Sequence, residues 1–154
     1  VSECAGILEL AAEIATSPWA DSFEGTPYHD PVGYPTVGYG HLLSREPWAD
    51  LEQFGGTISE YKGVMLLQED MGKSLASVFR LIEHPLEDNQ YAALVDFAFN
   101  CGSGNLQAST LRRVINRGEL DEAPKQFRRW VHARGVKLPG LVRRREAEVE
   151  MWLA

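Results

Sequence analysis

Three side chains able to move a proton or hold a water lie six residues apart in the stretch SFEGTPYHDPVGYPTVGYGHLL, residues 22–43: Glu24, Asp30 and Thr36. Hydrolysis of a glycosidic bond needs one carboxylic acid to protonate the leaving oxygen and a carboxylate on the far side of the sugar ring. A hydroxyl beside that second carboxylate can help hold the attacking water. Each residue also has an ordinary structural reading. Glu24 can be a surface helix residue, Asp30 an Asx-turn former and Thr36 a β-branched strand residue. With 22 acidic residues in the chain, a carboxyl pair by itself leaves both readings open.

The elements that must position these groups can be read from the same stretch. SPWADSFEG reads as a short helix, with Ser17 as N-cap, Pro18 in the first turn and Gly25 as terminator, which places Glu24 on its last turn. Asp30-Pro31-Val32-Gly33 has the type I turn preference at each informative position. A β-hairpin over 28–41 follows, and pairing symmetric about Gly33 would set Asp30 opposite Thr36. Alternation in the outgoing strand puts Val37, Tyr39 and His41 on one face and Thr36, Gly38 and Gly40 on the other. Two glycines on the hydroxyl face suggest close approach of something to the backbone.

The rest of the chain is helical in pattern. An amphipathic helix is expected over residues 4–15 and a long one over 59–82, where Val64, Leu67, Met71, Leu75, Val78 and Ile82 recur at three- and four-residue steps. Pro85 ends that pattern. EDNQYAALVDFAFNCG is apolar nearly all round and is the expected centre of the core. STLRRVINRG, DEAPKQFRRWVHARG and GLVRRREAEVEMWL read as further helices separated by Gly118, Gly135 and Gly140. The fold class is therefore α+β, mainly α, in one domain of 154 residues.

Charge is uneven. Residues 1–105 hold 4 Lys/Arg against 16 Asp/Glu, whereas residues 106–154 hold 11 against 6. The arginines of the last third recur at helical spacing and would form a positive face, either a solvated surface or a site for an anionic polymer. No aromatic platform or nucleic-acid fingerprint accompanies them, which argues against nucleic acid as a partner. No apolar run approaches the roughly 20 residues needed to span a bilayer, so a soluble protein without stable membrane insertion is expected. Cys4 and Cys101 match no metal spacing and no redox motif; two free, mostly buried thiols are favoured over a disulfide.

The motif FEG…YHDPVGYPTVGYGHLL resembles the active-site segment of the phage-type lysozymes, the muramidase endolysins. The resemblance continues through LLQEDM, EDNQYAALVDFAFNCGSGNLQASTLRRVINRG, FRRWVHARGVKLPGL and RRREAE, covering residues 17–153 in the family's element order. It implies a lysozyme-like fold: a small β-hairpin lobe over 17–58 and a helical lobe over 83–154, joined by the helix 59–82. Residues 1–16 precede the family's usual start, and their acidic positions favour a packing helix over the remnant of an export or anchoring segment.

The activity implied is hydrolysis of the β-1,4 bond between N-acetylmuramic acid and N-acetylglucosamine in bacterial peptidoglycan. Inversion is the implied stereochemistry, with the carboxyls in the class separated by roughly 6.5–9.5 Å. Glu24 falls on the family's general acid, and Asp30 and Thr36 on its water-positioning pair. Leu42, Phe99 and Thr110 match its glycan-lining positions. His41 is implied to pair with Asp70, and one of Arg143, Arg144 and Arg145 to reach Glu24. Phe127 and Trp130 are expected in the core, and Asn100 as a buried amide satisfying backbone near Gly102. No metal or organic cofactor is required. The implied setting is lysis of an infected host by a monomeric enzyme, made in the cytoplasm and acting in the periplasm or on the wall. The spacing of six from Glu24 to Asp30 is shorter than the family's, so the loop 25–29 must be trimmed. A lytic transglycosylase, a chitinase-like glycosidase and a non-catalytic wall-binding module remain the alternative readings.

Overall fold

The computed structural model describes residues 2–154, with side chains from Cys4 onward; Val1, the first residue of the N-terminal segment, lies outside the described residues. The chain divides into two units, residues 15–70 and residues 1–14 with 71–154.

In the first unit, β1 (Glu24–His29), β2 (Pro35–Gly38) and β3 (His41–Leu42) form an antiparallel sheet in the order β1-β2-β3. The helix expected over 17–25 does not form. Residues 16–21 make turns and bends, with Ala20 N–H bonded to the Ser17 carbonyl at 2.9 Å, and Glu24 opens a strand instead. So short a helix gains few hydrogen bonds for the cost of its first turn. The strand ladder and the stacking of Phe23 on Tyr39, 5.4 Å between ring centres, win.

The hairpin register also departs from symmetry about Gly33. Tyr28 pairs with Thr36 and His29 with Pro35, leaving Asp30 in the turn rather than opposite Thr36. The two-faced alternation stops after Val37. All of β2 is buried, and Gly38 and Gly40 adopt φ of 71° and 75°. The close approach suggested by the glycines is real at Gly38, but it comes from within the fold. A Cβ there would lie 3.4 Å from Gly63 Cα, whereas one on Gly40 would meet nothing within 4 Å. Gly38→Ala is expected to lower stability by about 1–2 kcal/mol, the cost of a left-handed conformation with a side chain. Urea unfolding measures it.

A short 3-10 turn at Leu51–Phe54 leads to the long helix α2 (Glu60–Leu81). Ser59 starts α2 by accepting Lys62 N–H on its hydroxyl, at 3.1 Å. The first half of α2 belongs to the unit just described and the second half to the other.

The second unit is helical: α1 (Ser2–Ala15), the end of α2, α3 (Asp88–Cys101), α4 (Ser103–Ala108), α5 (Thr110–Asn116), α6 (Ala123–Phe127) and α7 (Pro139–Leu153). As its all-round apolar pattern demands, α3 is central; every residue from Ala92 to Ala98 is buried. It packs along α7. Gln90 caps its start, its side-chain oxygen accepting Glu87 N–H at 2.9 Å. Phe127 and Trp130 meet Phe97 edge-on, at 5.8 and 5.4 Å; Phe127 is buried as expected of a core residue, whereas Trp130 is half-buried at the core's margin.

Two helix expectations fail here. The helix read over 121–135 is cut to α6, and a small hairpin follows, β4 (His132–Ala133) with β5 (Val136–Lys137). Arg134 and Gly135 join the strands with φ of 52° and 78°. Two consecutive left-handed residues are what a tight I′ turn needs, and Arg-Gly supplies the second of them without strain. Gly140 lies inside α7 rather than between helices, directly after Pro139 at the helix start.

Several arginines of the last third turn inward or onto acids instead of joining a positive face. Arg144 and Arg145 are buried, paired with Asp96 and Glu148. Arg117 pairs with Glu119, Arg128 with Glu146, and Arg112 donates to the Leu81 carbonyl. Among the described residues both cysteines are free and half-buried. Burial pushes the Cys101 thiol up to about 11, against the lowering effect of Arg145 beside it. No helix among the described residues is long and apolar enough to cross a membrane.

Candidate active site

Glu24 is fixed through its neighbours. Phe23 lies over Gly63, where a Cβ would come within 2.6 Å of its ring. Gly25 offers its carbonyl to Ile58 N–H at 2.8 Å, and a Cβ on Gly25 would lie 2.9 Å from the Ile58 carbonyl oxygen. The Phe-Glu-Gly triplet is therefore clasped on both sides while the Glu24 side chain stays exposed. It lines an open cavity of about 460 Å³ with Asp21, Ser22, Tyr28 and Gly40.

Asp30 is half-buried at the head of the turn. Its Oδ1 accepts two backbone N–H bonds, from Val32 at 2.9 Å and Tyr34 at 2.8 Å, and its carbonyl accepts Gly33 N–H at 2.9 Å. This Asx arrangement fixes the carboxylate plane. Thr36 is buried, and its hydroxyl donates to the Tyr34 carbonyl at 2.8 Å. With its proton engaged, that hydroxyl has only lone pairs to offer a further partner.

Tyr28, which the sequence reading passed over, belongs to the same neighbourhood. Its hydroxyl is held above its ordinary range first by burial, then by the negative charges of Glu24, Asp21 and Asp30. Both candidate carboxylates thus act on one phenol. The signal was present, since Tyr28 stands two residues before Asp30, but it becomes legible only once residues 24–29 are a strand.

Leu42 lies on β3 directly across from Thr36 and is 37% exposed. In the helical unit, Phe99 is half-buried on α3, and Thr110 opens α5 with its hydroxyl accepting Arg113 Nη2 at 2.8 Å. His41 meets Asp70 as expected, Nδ1 to Oδ2 at 2.8 Å.

Two of the three arginines from which a partner for Glu24 was expected hold acids within the helical unit. Arg144 forks onto Asp96 at 2.9 and 2.7 Å. Arg145 forks onto Glu148 at 2.7 and 2.8 Å and also reaches Asn100 Oδ1, Cys101 Sγ and the Trp130 carbonyl. Asn100 is accordingly an exposed residue that accepts a guanidinium N–H, not a buried amide turned to the backbone near Gly102. Burial, together with the Asp96 carboxyl alongside, raises Glu148 well above the usual carboxylate range despite Arg145. Burial disfavours the charged form, and the neighbouring carboxylate opposes a second negative charge in the same site.

Comparison with known proteins agrees with this architecture. The family model described as phage lysozyme matches residues 20–148. A SAR-endolysin of Bacteriophage PS119 is 35% identical over 152 residues, covering 96% of this chain and 87% of its own length. Among solved structures, the muramidase domain of SpmX from Asticaccaulis excentricus is 28% identical, with a TM-score of 0.77 over 97% of this chain and 95% of its own. A P22 lysozyme variant is also 28% identical, with a TM-score of 0.75 over 97% and 96%. The chain belongs to the phage lysozyme family and is an endolysin-type muramidase, a glycoside hydrolase of peptidoglycan.

Proposed function

We propose that Glu24 is the general acid of this muramidase, and that Asp30 and Thr36 hold the water that attacks the anomeric carbon from the opposite face. The bond cleaved is the β-1,4 link between N-acetylmuramic acid and N-acetylglucosamine, with inversion. The observation that carries the reading is the contrast between two carboxyls within one neighbourhood. Glu24 is exposed at a cavity, while Asp30 is pinned by two backbone N–H donors at Oδ1. Asp30 Oδ2 takes one proton of the water, the other stays on the oxygen that bonds the anomeric carbon and donates a hydrogen bond to the Thr36 hydroxyl, and the Glu24 proton passes to the leaving oxygen.

Leu42, across from Thr36 and partly exposed, offers an apolar surface to the sugar ring. The chain works as one catalytic domain and as a monomer, without nucleic acid, on glycan strands reached from the periplasm; the endolysin names of its relatives support the lytic part of this reading.

Digestion of purified peptidoglycan with mass analysis of the products tests the reading. Reducing N-acetylmuramic acid ends, released first as the inverted anomer by NMR, are expected; 1,6-anhydro ends would mean a transglycosylase instead. Asp30→Asn keeps the two N–H bonds but weakens the base, and turnover should fall about 10²–10⁴-fold. Full activity in that variant would remove Asp30 from the mechanism.

A further inference from the structure

Trp48 is one of two side chains held against their backbone preference among the described residues, at φ 61° and 66% exposed; the other, Arg134, sits in the tight turn already described. A bulky residue in the left-handed region persists only where its surroundings over-determine it. Here they do. Trp48 N–H donates to the Gly33 carbonyl at 2.7 Å. The indole lies so close on Gly33 that a Cβ there would come within 2.5 Å of it, and Gly33 itself has φ 102°. The His29 ring packs tilted against the indole, 5.1 Å between ring centres, and His29 Nε2 donates to the Ala49 carbonyl at 2.7 Å.

Residues 48 and 49 therefore grip residues 33 and 29, the two flanks of the turn headed by Asp30. The turn's own bonds fix the Asp30 carboxylate relative to residues 32–34. The ladder pairs of Tyr28 with Thr36 and His29 with Pro35 tie the turn to the sheet at its base, and the grip of residues 48 and 49 braces it from outside. We propose that Trp48 is a positioning residue for the reaction, clamping the Asp30 turn so that its carboxylate aims at the water. The inference rests on the role given to Asp30 above.

Trp48→Gly isolates the clamp, because glycine adopts φ near 60° freely and keeps the N–H bond to Gly33 while removing the indole. Turnover on soluble peptidoglycan fragments is expected to fall about tenfold with KM nearly unchanged, and amide exchange at Val32 and Tyr34 to quicken. Combined with Asp30→Asn, the variant should lose nothing further, as two changes in one pathway are not additive.

A rise in KM alone would make the indole a sugar platform and overturn the proposal. So would a tenfold loss that persists in the Asp30→Asn background, or unchanged amide exchange. A fully active Asp30→Asn single variant would instead sink the role of Asp30, and the proposal with it. Those two failures are read from different proteins.

Discussion

Glu24→Gln is expected to lower muramidase turnover about 10²–10⁴-fold, the range that a positioned general acid supplies. The amide has nearly the shape of the acid but no proton acidic enough to give the leaving oxygen. Stability should move by no more than about 0.5 kcal/mol, since the side chain is exposed and the backbone is held through Phe23 and Gly25. The measurement is turbidity loss of outer-membrane-permeabilised cells beside wild type, with thermal melts on both proteins. Equal lysis by the two would place the acid elsewhere. The wild-type profile should fall at both pH extremes, because the reaction needs one carboxyl protonated and the other ionised.

Arg145→Leu should have the largest effect on stability, about 3–5 kcal/mol at neutral pH, out of the 5–15 kcal/mol typical of a domain. Arg145 and Glu148 are 1% and 0% exposed, so neither can turn to water for a substitute partner. Leucine leaves Glu148 and the Trp130 carbonyl without the donors they now have. Denaturant unfolding at several pH values checks the size and its direction.

The pH sign follows from Glu148, whose folded value lies above the ordinary one because of burial and Asp96. A raised acid contributes stability in full below about pH 4, and the contribution is lost as pH rises through the folded value. The penalty of Arg145→Leu should therefore grow with pH, since ionised Glu148 then has no guanidinium beside it. Glu148→Gln should flatten the wild-type decline on that limb. A penalty independent of pH would mean that Arg145 does not act on the ionisation of Glu148.

The helices whose apolar positions recur strictly were legible in sequence because burial of one stripe, or of the whole surface, has a period. Leu67, Met71, Leu75, Val78 and Ile82 are buried as that period requires, and so is the run Ala92–Ala98. The short elements were not. Whether residues 17–25 coil or extend was decided by Phe23 finding Tyr39 and by β2 offering Glu24 a partner in Gly38. Both partners lie more than a dozen residues away. At 132–137 the decision is local instead: two left-handed residues turn the chain back before a helix can continue.

Charge shows the same division. Composition gave the last third its excess of arginines, but sequence spacing could not tell a solvated guanidinium from one folded onto a buried acid. Arg144 with Asp96 spans 48 residues, and Arg145 reaches both Glu148 and Asn100. Desolvation selects such pairs only after the helices have packed.

At the site, the sequence by itself determined which groups are available: Glu24, Asp30 and Thr36, with glycines where the backbone must bend or pass closely. A one-residue step in register changes which side chains face each other in a strand, so local patterning could not fix their geometry. Tertiary structure decided that Tyr28, not Asp30, stands opposite Thr36, that Gly38 makes room for Gly63, and that Trp48 grips the turn. Residue chemistry is carried locally by the chain, whereas the placing of that chemistry depends on partners that only folding brings near.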